Sequence, residues 1–230
     1  MTSTSIPNRW LIPKEKPDIW IFQCGTDLPN LVKTHRAAVY FKKIVTLLEE
    51  DNGIVDYHLK LRHNDRRNYR LDVCIYFNDS KRAENPEALP ICVSCDPENQ
   101  LSRASLLEEH QHHRTWLDGR ARNKLIVTPI RHVERLLDLT DEEMETYWAN
   151  TVDLIQRETS VSLDTYPSLI LNHGTYRTFC HLHLKINFPG DVWQKTIAIH
   201  HQKQIQNLKE LCQNAELIKE CFGTSKVHND

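Results

Sequence analysis

Three side chains able to do chemistry stand two residues apart in the run Phe179-Cys180-His181-Leu182-His183-Leu184-Lys185-Ile186. As a β-strand, with period two, this run puts His181, His183 and Lys185 on one face and Cys180, Leu182, Leu184 and Ile186 on the other. Two imidazoles and an ammonium are costly to bury without partners, so the pattern predicts a polar face lining a cleft that holds an anion or a metal. Histidines on the solvent face of ordinary strands give the same local pattern, and the surrounding elements decide between the two.

A second constellation is Cys92-Val93-Ser94-Cys95. A Cys-x-x-Cys turn brings two thiolates within reach of one tetrahedral ion, and in a reducing compartment zinc is favoured over a disulfide. Two further ligands are then required. The sequence offers two pairs: His110 and His113, three apart on an expected helix, or His132 and His181. A redox role is the weaker alternative, because no thioredoxin-like βαβ pattern surrounds the cysteines.

The elements that must position these groups are partly legible. Leu125 to Pro129 reads as a strand closed by proline, followed shortly by His132. Thr140 with Glu143 forms a capping box, with Asp141 and Glu142 at the positive end of the helix dipole. Met144, Tyr147, Trp148, Thr151, Leu154 and Ile155 then continue at helical spacing. Ser168 to Leu171 reads as a short buried strand, and Asn172-His173-Gly174 as the turn leading back to the histidine run. Nearer the N-terminus, Asp18 to Cys24 reads as a strand and Leu31 to Glu50 as one helix. Val55 to Leu61 with Tyr69 to Phe77 reads as a hairpin. In and around its connection lie Lys60, Arg62, His63, Arg66, Arg67 and Arg70, with Tyr57 and Tyr69 nearby, a basic run that suits a polyphosphate or an RNA backbone and equally a solvated hairpin. Asp79 to Pro90 is the best candidate linker, and Val192 to Cys221 reads as one or two helices.

The order of a strand ending in Pro129, His132, a capped helix from Leu139-Thr140-Asp141-Glu142-Glu143, a strand ending in Asn172-x-Gly174, and His-x-His on an apolar run resembles the histidine-triad (HIT) superfamily. The likeness covers roughly Leu125 to Phe188. It implies an α+β HIT-like domain, an antiparallel sheet with flanking helices, over residues 90–230, preceded by an α+β extension over residues 1–89. It also favours His132 and His181 as the ligands joining Cys92 and Cys95 around a structural zinc, since zinc-bearing relatives use that set. His183 resembles the family nucleophile, which attacks an α-phosphorus to form a nucleotidyl-histidine. Asn172 would orient the phosphate or the histidine, and Arg177 or Thr178 would contact the transferred phosphoryl group. The third triad position departs from the pattern: Lys185 stands where many members have histidine. Members similar to galactose-1-phosphate uridylyltransferase and the dinucleoside-polyphosphate phosphorylases have glutamine there. The segment from Asn172 to His181 is also short and lacks the family's Gly-Gln.

The expected activity is nucleotidyl hydrolysis or transfer on a nucleoside phosphate or dinucleotide substrate. The alternative is a non-catalytic nucleotide- or RNA-binding protein of the same fold. Other hydrolase classes lack support, with no Gly-x-Ser-x-Gly, phosphate loop or His-Glu-x-x-His. The chain has 230 residues, 40% of them hydrophobic, which is enough for one large core or two small ones. A net charge of -2 gives no global attraction to nucleic acid or membrane, so phosphate recognition must be local. Seven cysteines and no apolar stretch of membrane-spanning length set the expectation of a cytoplasmic or nuclear protein without membrane contact. The helices after the histidine run could serve a core or a homodimer contact.

Overall fold

Apolar residues alternate with polar ones in His58-Leu59-Lys60-Leu61-Arg62 and again in Leu182-His183-Leu184-Lys185-Ile186, a pattern that builds strands with one dry side. A computed structural model describes residues 10–11, 18–63, 71–77, 92–96, 98–160, 166–177 and 179–223. The fold is α+β, an antiparallel sheet with flanking helices, and both segments contribute to that one sheet of nine strands among the described residues. The strands are β1 (Trp10–Leu11), β2 (Ile19–Cys24), β3 (His58–His63), β4 (Leu71–Tyr76), β5 (Leu106–Glu109), β6 (His113–Leu117), β7 (Lys124–Pro129), β8 (Ser168–Asn172) and β9 (Leu184–Asn187). Their spatial order is β1-β2-β4-β3-β8-β9-β7-β6-β5. The pairing of β3 with β8 makes the strands before residue 90 continuous with those that carry the HIT-like motifs.

Register explains the dry side. Leu59 lies opposite Leu171, Leu61 opposite Leu169, Leu171 opposite Leu184, and Leu169 opposite Ile186. All six are fully buried, each worth about 1.5–3 kcal/mol relative to exposure. The helices α1 (Leu28–Lys33), α2 (Ala37–Glu49) and α4 (Asp141–Glu158) pack on one another and share this core. Trp148 of α4 stacks on Phe41 of α2 with ring centroids 3.9 Å apart, and the Tyr147 hydroxyl donates to the Val127 carbonyl at 3.1 Å. The capping box forms in both directions: Glu143 N–H donates to Thr140 Oγ1 at 3.1 Å, and Thr140 N–H donates to Glu143 Oε2 at 2.8 Å.

The other side of the sheet is built differently. On β6 and β7, the Trp116 indole donates to Thr128 Oγ1 at 2.8 Å. Arg114 donates to the Ser94 carbonyl at 3.0 Å, which holds the Cys-x-x-Cys turn to this side. Helix α3 (Gln100–Ser105) follows that turn, and α8 (Ala215–Phe222) docks on it through Cys221 Sγ to Asn99 Oδ1 at 3.6 Å.

Four expectations are corrected. The helix read over Leu31–Glu50 is two helices, because the chain turns at Thr34 to Arg36 with His35 at φ 51°. The single or double helix read over Val192–Cys221 is four: α5 (Gly190–Lys195), α6 (Ile197–His200), α7 (Gln202–Leu211) and α8. Its breaks fall at Thr196, at His201, whose Nε2 lies 2.8 Å from Glu158 Oε2, and at Asn214, whose side chain caps α8. His110 and His113 are not on a helix; they bracket the β5–β6 turn. Finally, the strand read from Phe179 begins only at Leu184, because Leu182 N–H donates to the Val133 carbonyl at 2.7 Å rather than into the sheet. The proposed linker Asp79–Pro90 lies outside the described residues.

Candidate active site and metal centre

Pro129 ends β7, and the loop that follows carries His132 back toward the segment before β9. There His132 and His181 approach with ring centroids 4.8 Å apart. Cys92 and Cys95 complete the group: Cys92 Sγ is 3.3 Å from His181 Nδ1, and Cys95 Sγ is 3.2 Å from His132 Nδ1 and 3.3 Å from His181 Nδ1. All four donor atoms lie within 4.8 Å of one another, so a single metal ion can touch all of them. The surrounding bonds orient the donors. His181 Nε2 is 3.0 Å from the Pro129 carbonyl and donates to it, which leaves the Nδ1 lone pair aimed at the sulfurs. His113 does not join the cluster. Its ring is buried against α4, Nε2 donating to the Glu143 carbonyl at 3.1 Å and Nδ1 accepting from Asn150 Nδ2 at 3.2 Å. His110 lies 3.1 Å from Glu108 Oε2, in a surface pair.

His183 stands two residues beyond this cluster and is buried. Its Nδ1 is 2.9 Å from the His181 carbonyl and has only that acceptor's lone pairs to meet, so Nδ1 carries the proton and Nε2 carries a lone pair. Burial and then the Lys185 charge push the His183 pKa down to about 3, keeping the ring neutral. The Phe179 ring meets it edge-on at 5.8 Å, and Phe222 at the end of α8 meets Phe179 at 5.6 Å. Lys185 sits on β9 opposite Ile126 and Ile170, half-buried on the sheet side away from the main core. Asn172 ends β8 opposite His58.

Arg177 is buried with its donors engaged: it bonds the Gly174 carbonyl at 3.3 Å, the Glu134 carbonyl at 3.0 Å and Glu134 Oε2 at 2.8 Å. It therefore ties the loop after His132 to the turn after β8. Thr178 lies outside the described residues, as do Arg66, Arg67, Tyr69 and Arg70 of the basic run.

Sequence reasoning missed a neighbouring buried network. Glu49, at the end of α2, accepts from the Tyr57 hydroxyl at 2.8 Å and pairs with Arg135. His173 stacks on Tyr57 at 4.4 Å and places Nδ1 3.8 Å from Glu49. Burial pushes the His173 pKa to about 3, with the Arg177 and Arg135 charges acting the same way. Glu49 and Tyr57 read as ordinary helix-end and strand-start residues, and nothing local marks them. Gly174, read from the sequence as part of the turn after Leu171, bears that reading out: at φ 56° it occupies the left-handed region, and a Cβ there would meet Asp56 Oδ1.

No protein-family model matches the chain, and no curated protein matches it in sequence. Solved structures do match in fold. A GalT-like protein from Arabidopsis thaliana superposes with TM-score 0.54 at 9% identity, covering 88% of each chain. A uridylyltransferase matches with TM-score 0.51 at 13% identity over 86% of this chain and 75% of its own. An ADP-glucose phosphorylase from Arabidopsis thaliana, solved with bound ADP-glucose, matches with TM-score 0.50 at 10% identity over 84% and 73%. These likenesses, at 9–13% identity, show the fold alone: the chain shares its α+β architecture with these three solved proteins.

Proposed function

We propose that the protein transfers a nucleoside monophosphate by way of a covalent nucleotidyl-His183. The observation that carries this is the hydrogen bond from His183 Nδ1 to the His181 carbonyl, which fixes the tautomer and frees Nε2 as the nucleophile. Attack by the Nε2 lone pair on an α-phosphorus forms a P–N bond while the P–O bond to the leaving group breaks, its electron pair going to that oxygen. An acceptor oxygen, from phosphate or from water that sheds a proton to solvent, then attacks phosphorus. The P–N bond breaks and its pair returns to Nε2.

Lys185 selects the leaving group. A lysine ammonium is a poor proton donor near neutral pH, so departure without protonation is required, and a phosphate, whose second pKa is about 6, meets that requirement. The expected substrates are phosphoanhydrides of nucleotides, the class to which the ADP-glucose bound by the plant phosphorylase belongs. Asn172, at the end of β8, would orient the α-phosphate.

Zinc fits the four-donor cluster. Zn–S of about 2.3 Å and Zn–N of about 2.0–2.1 Å at a tetrahedral centre separate sulfur from nitrogen by about 3.6 Å, and the sulfur-to-nitrogen approaches here are 3.2–3.3 Å. Two thiolates and two imidazoles with no open position suit a structural ion. When bound, it locks the Cys-x-x-Cys turn to the segment that carries His183.

The test is acid-quenched incubation with ADP-glucose, UDP-glucose and ATP, followed by intact-mass measurement. A nucleoside monophosphate adduct is expected on the parent chain and absent from His183→Ala. An adduct that maps to another residue, or none with any of the three, overturns the proposal.

A further inference from the structure

The sheet side that bears Lys185 extends beyond the histidine segment onto strands from the N-terminal half. Lys60 of β3 lies opposite Ile170 of β8, and Ile170 lies opposite Lys185 of β9. Cross-strand partners share a face, so the two lysines flank Ile170 two strands apart, about 10 Å between their backbones at about 4.8 Å per strand. Both are half-buried. Two residue pairs along the same strands, His58 lies opposite Asn172, which places β3 beside the residue assigned to the α-phosphate. Arg62 continues the cationic edge of β3, opposite Asp72 of β4. Leu59 and Leu61 point into the core, so β3 spends its apolar side on the fold and its cationic side on this face.

We propose that Lys60 and Lys185 form an anion subsite across β3, β8 and β9, which holds the phosphates of the leaving group beyond the α-phosphate of the substrate. The proposal rests on the reading of His183 as nucleophile only for which phosphate is α. Two ammoniums separated by an isoleucine fit a linear chain of two or more phosphates better than a single phosphate ester, so the substrate class is a nucleoside triphosphate or a dinucleoside polyphosphate. Burial and then the Arg62 charge on the same strand push the Lys60 pKa down, so an anion beside Lys60 favours its charged form. The strand from the N-terminal half thereby takes part in substrate choice.

Inorganic tripolyphosphate, which contains no nucleoside, probes the subsite without catalysis. Calorimetric titration is expected to show binding to the parent, about tenfold weaker binding to Lys60→Gln, and parental affinity for Lys60→Arg. Ile170→Glu, which sets a carboxylate between the lysines, should abolish it. AMP binding by Lys60→Gln should stay within about twofold of the parent, since a single phosphate held at Asn172, beside His58, stops short of Lys60 two positions further along β3. Parental tripolyphosphate affinity in both Lys60→Gln and Ile170→Glu, or no tripolyphosphate binding by the parent, overturns the subsite. If both variants lose tripolyphosphate but no nucleotidyl-His183 forms, the transfer reading falls and the subsite stands. If the adduct forms while both variants bind tripolyphosphate normally, the subsite alone falls.

Discussion

Replacing Gly174 by alanine tests whether the turn after β8 is fixed as tightly as its contacts imply. At φ 56° any Cβ carries a left-handed penalty of about 1–2 kcal/mol. The added carbon would also stand 1.9 Å from Asp56 Oδ1 and 2.8 Å from the Val55 carbonyl oxygen. Asp56 can rotate away, but its Oδ1 accepts from Thr175 N–H at 2.8 Å, and losing that bond costs about 1 kcal/mol. The Val55 carbonyl is backbone and yields only if the loop before β3 shifts. The sum predicts a loss of about 2–4 kcal/mol in urea unfolding, read as a lower midpoint at unchanged slope. Asp56→Ala alone should cost about 1 kcal/mol, and the double variant less than the sum of the singles, because the carboxylate clash is gone. Adduct formation should fall in parallel, since Asn172 and Arg177 flank the turn. A loss below about 0.5 kcal/mol with parental activity would refute the account of the turn.

His183→Ala should retain nucleotide affinity within about tenfold while losing all transfer, because a nucleophile acts on the transition state; equilibrium binding of AMP beside single-turnover assays checks this. Cys92→Ser should lower bound zinc from about one ion per chain and lower the melting temperature, and full zinc in a His132→Ala, His181→Ala variant would disprove the ligand set. His63, which accepts from Leu28 N–H, and His113 both have pKa values lowered to about 4 by burial, and His173 to about 3. The unfolded chain therefore holds more protons below about pH 6.5, and stability should fall as pH drops from there toward 4, by up to about 1.4 kcal/mol per pH unit per histidine. Chemical unfolding at pH 7, 6 and 5 measures it, and a flat profile would contradict the buried neutral rings. Thr140→Ala removes one arm of the α4 capping box and should cost about 1 kcal/mol in the same assay.

Helix α4 was legible because its cap, its acidic first turn and its apolar stripe are all local. The donor residues Cys92, Cys95, His132 and His181 could be named from spacing and resemblance, and the structure brings them together. The path of the histidine segment was not legible. Alternation predicts a strand from Phe179, but bonds from His181 to Pro129 and from Leu182 to Val133 override it, and both are contacts with residues about fifty positions away. The break at His35 gave no glycine or proline signal. The cationic side of β3 was visible as alternation and β8 as a short strand, yet their pairing was not, because register between distant strands leaves no mark on either one.

The seam between β3 and β8 also bears on the birth of the molecule. Lys60 and Ile170 pair across about 110 residues, so a ribosome working at about 5–20 residues per second exposes β3 for roughly 5–20 seconds before its partner exists. Through that interval Leu59 and Leu61 have β4 on one side and an open hydrogen-bonding edge on the other. Lys60 and Arg62 then act as gatekeepers, whose charges oppose pairing with another nascent chain. The cations offered to a substrate in the finished protein would first have protected an unfinished one.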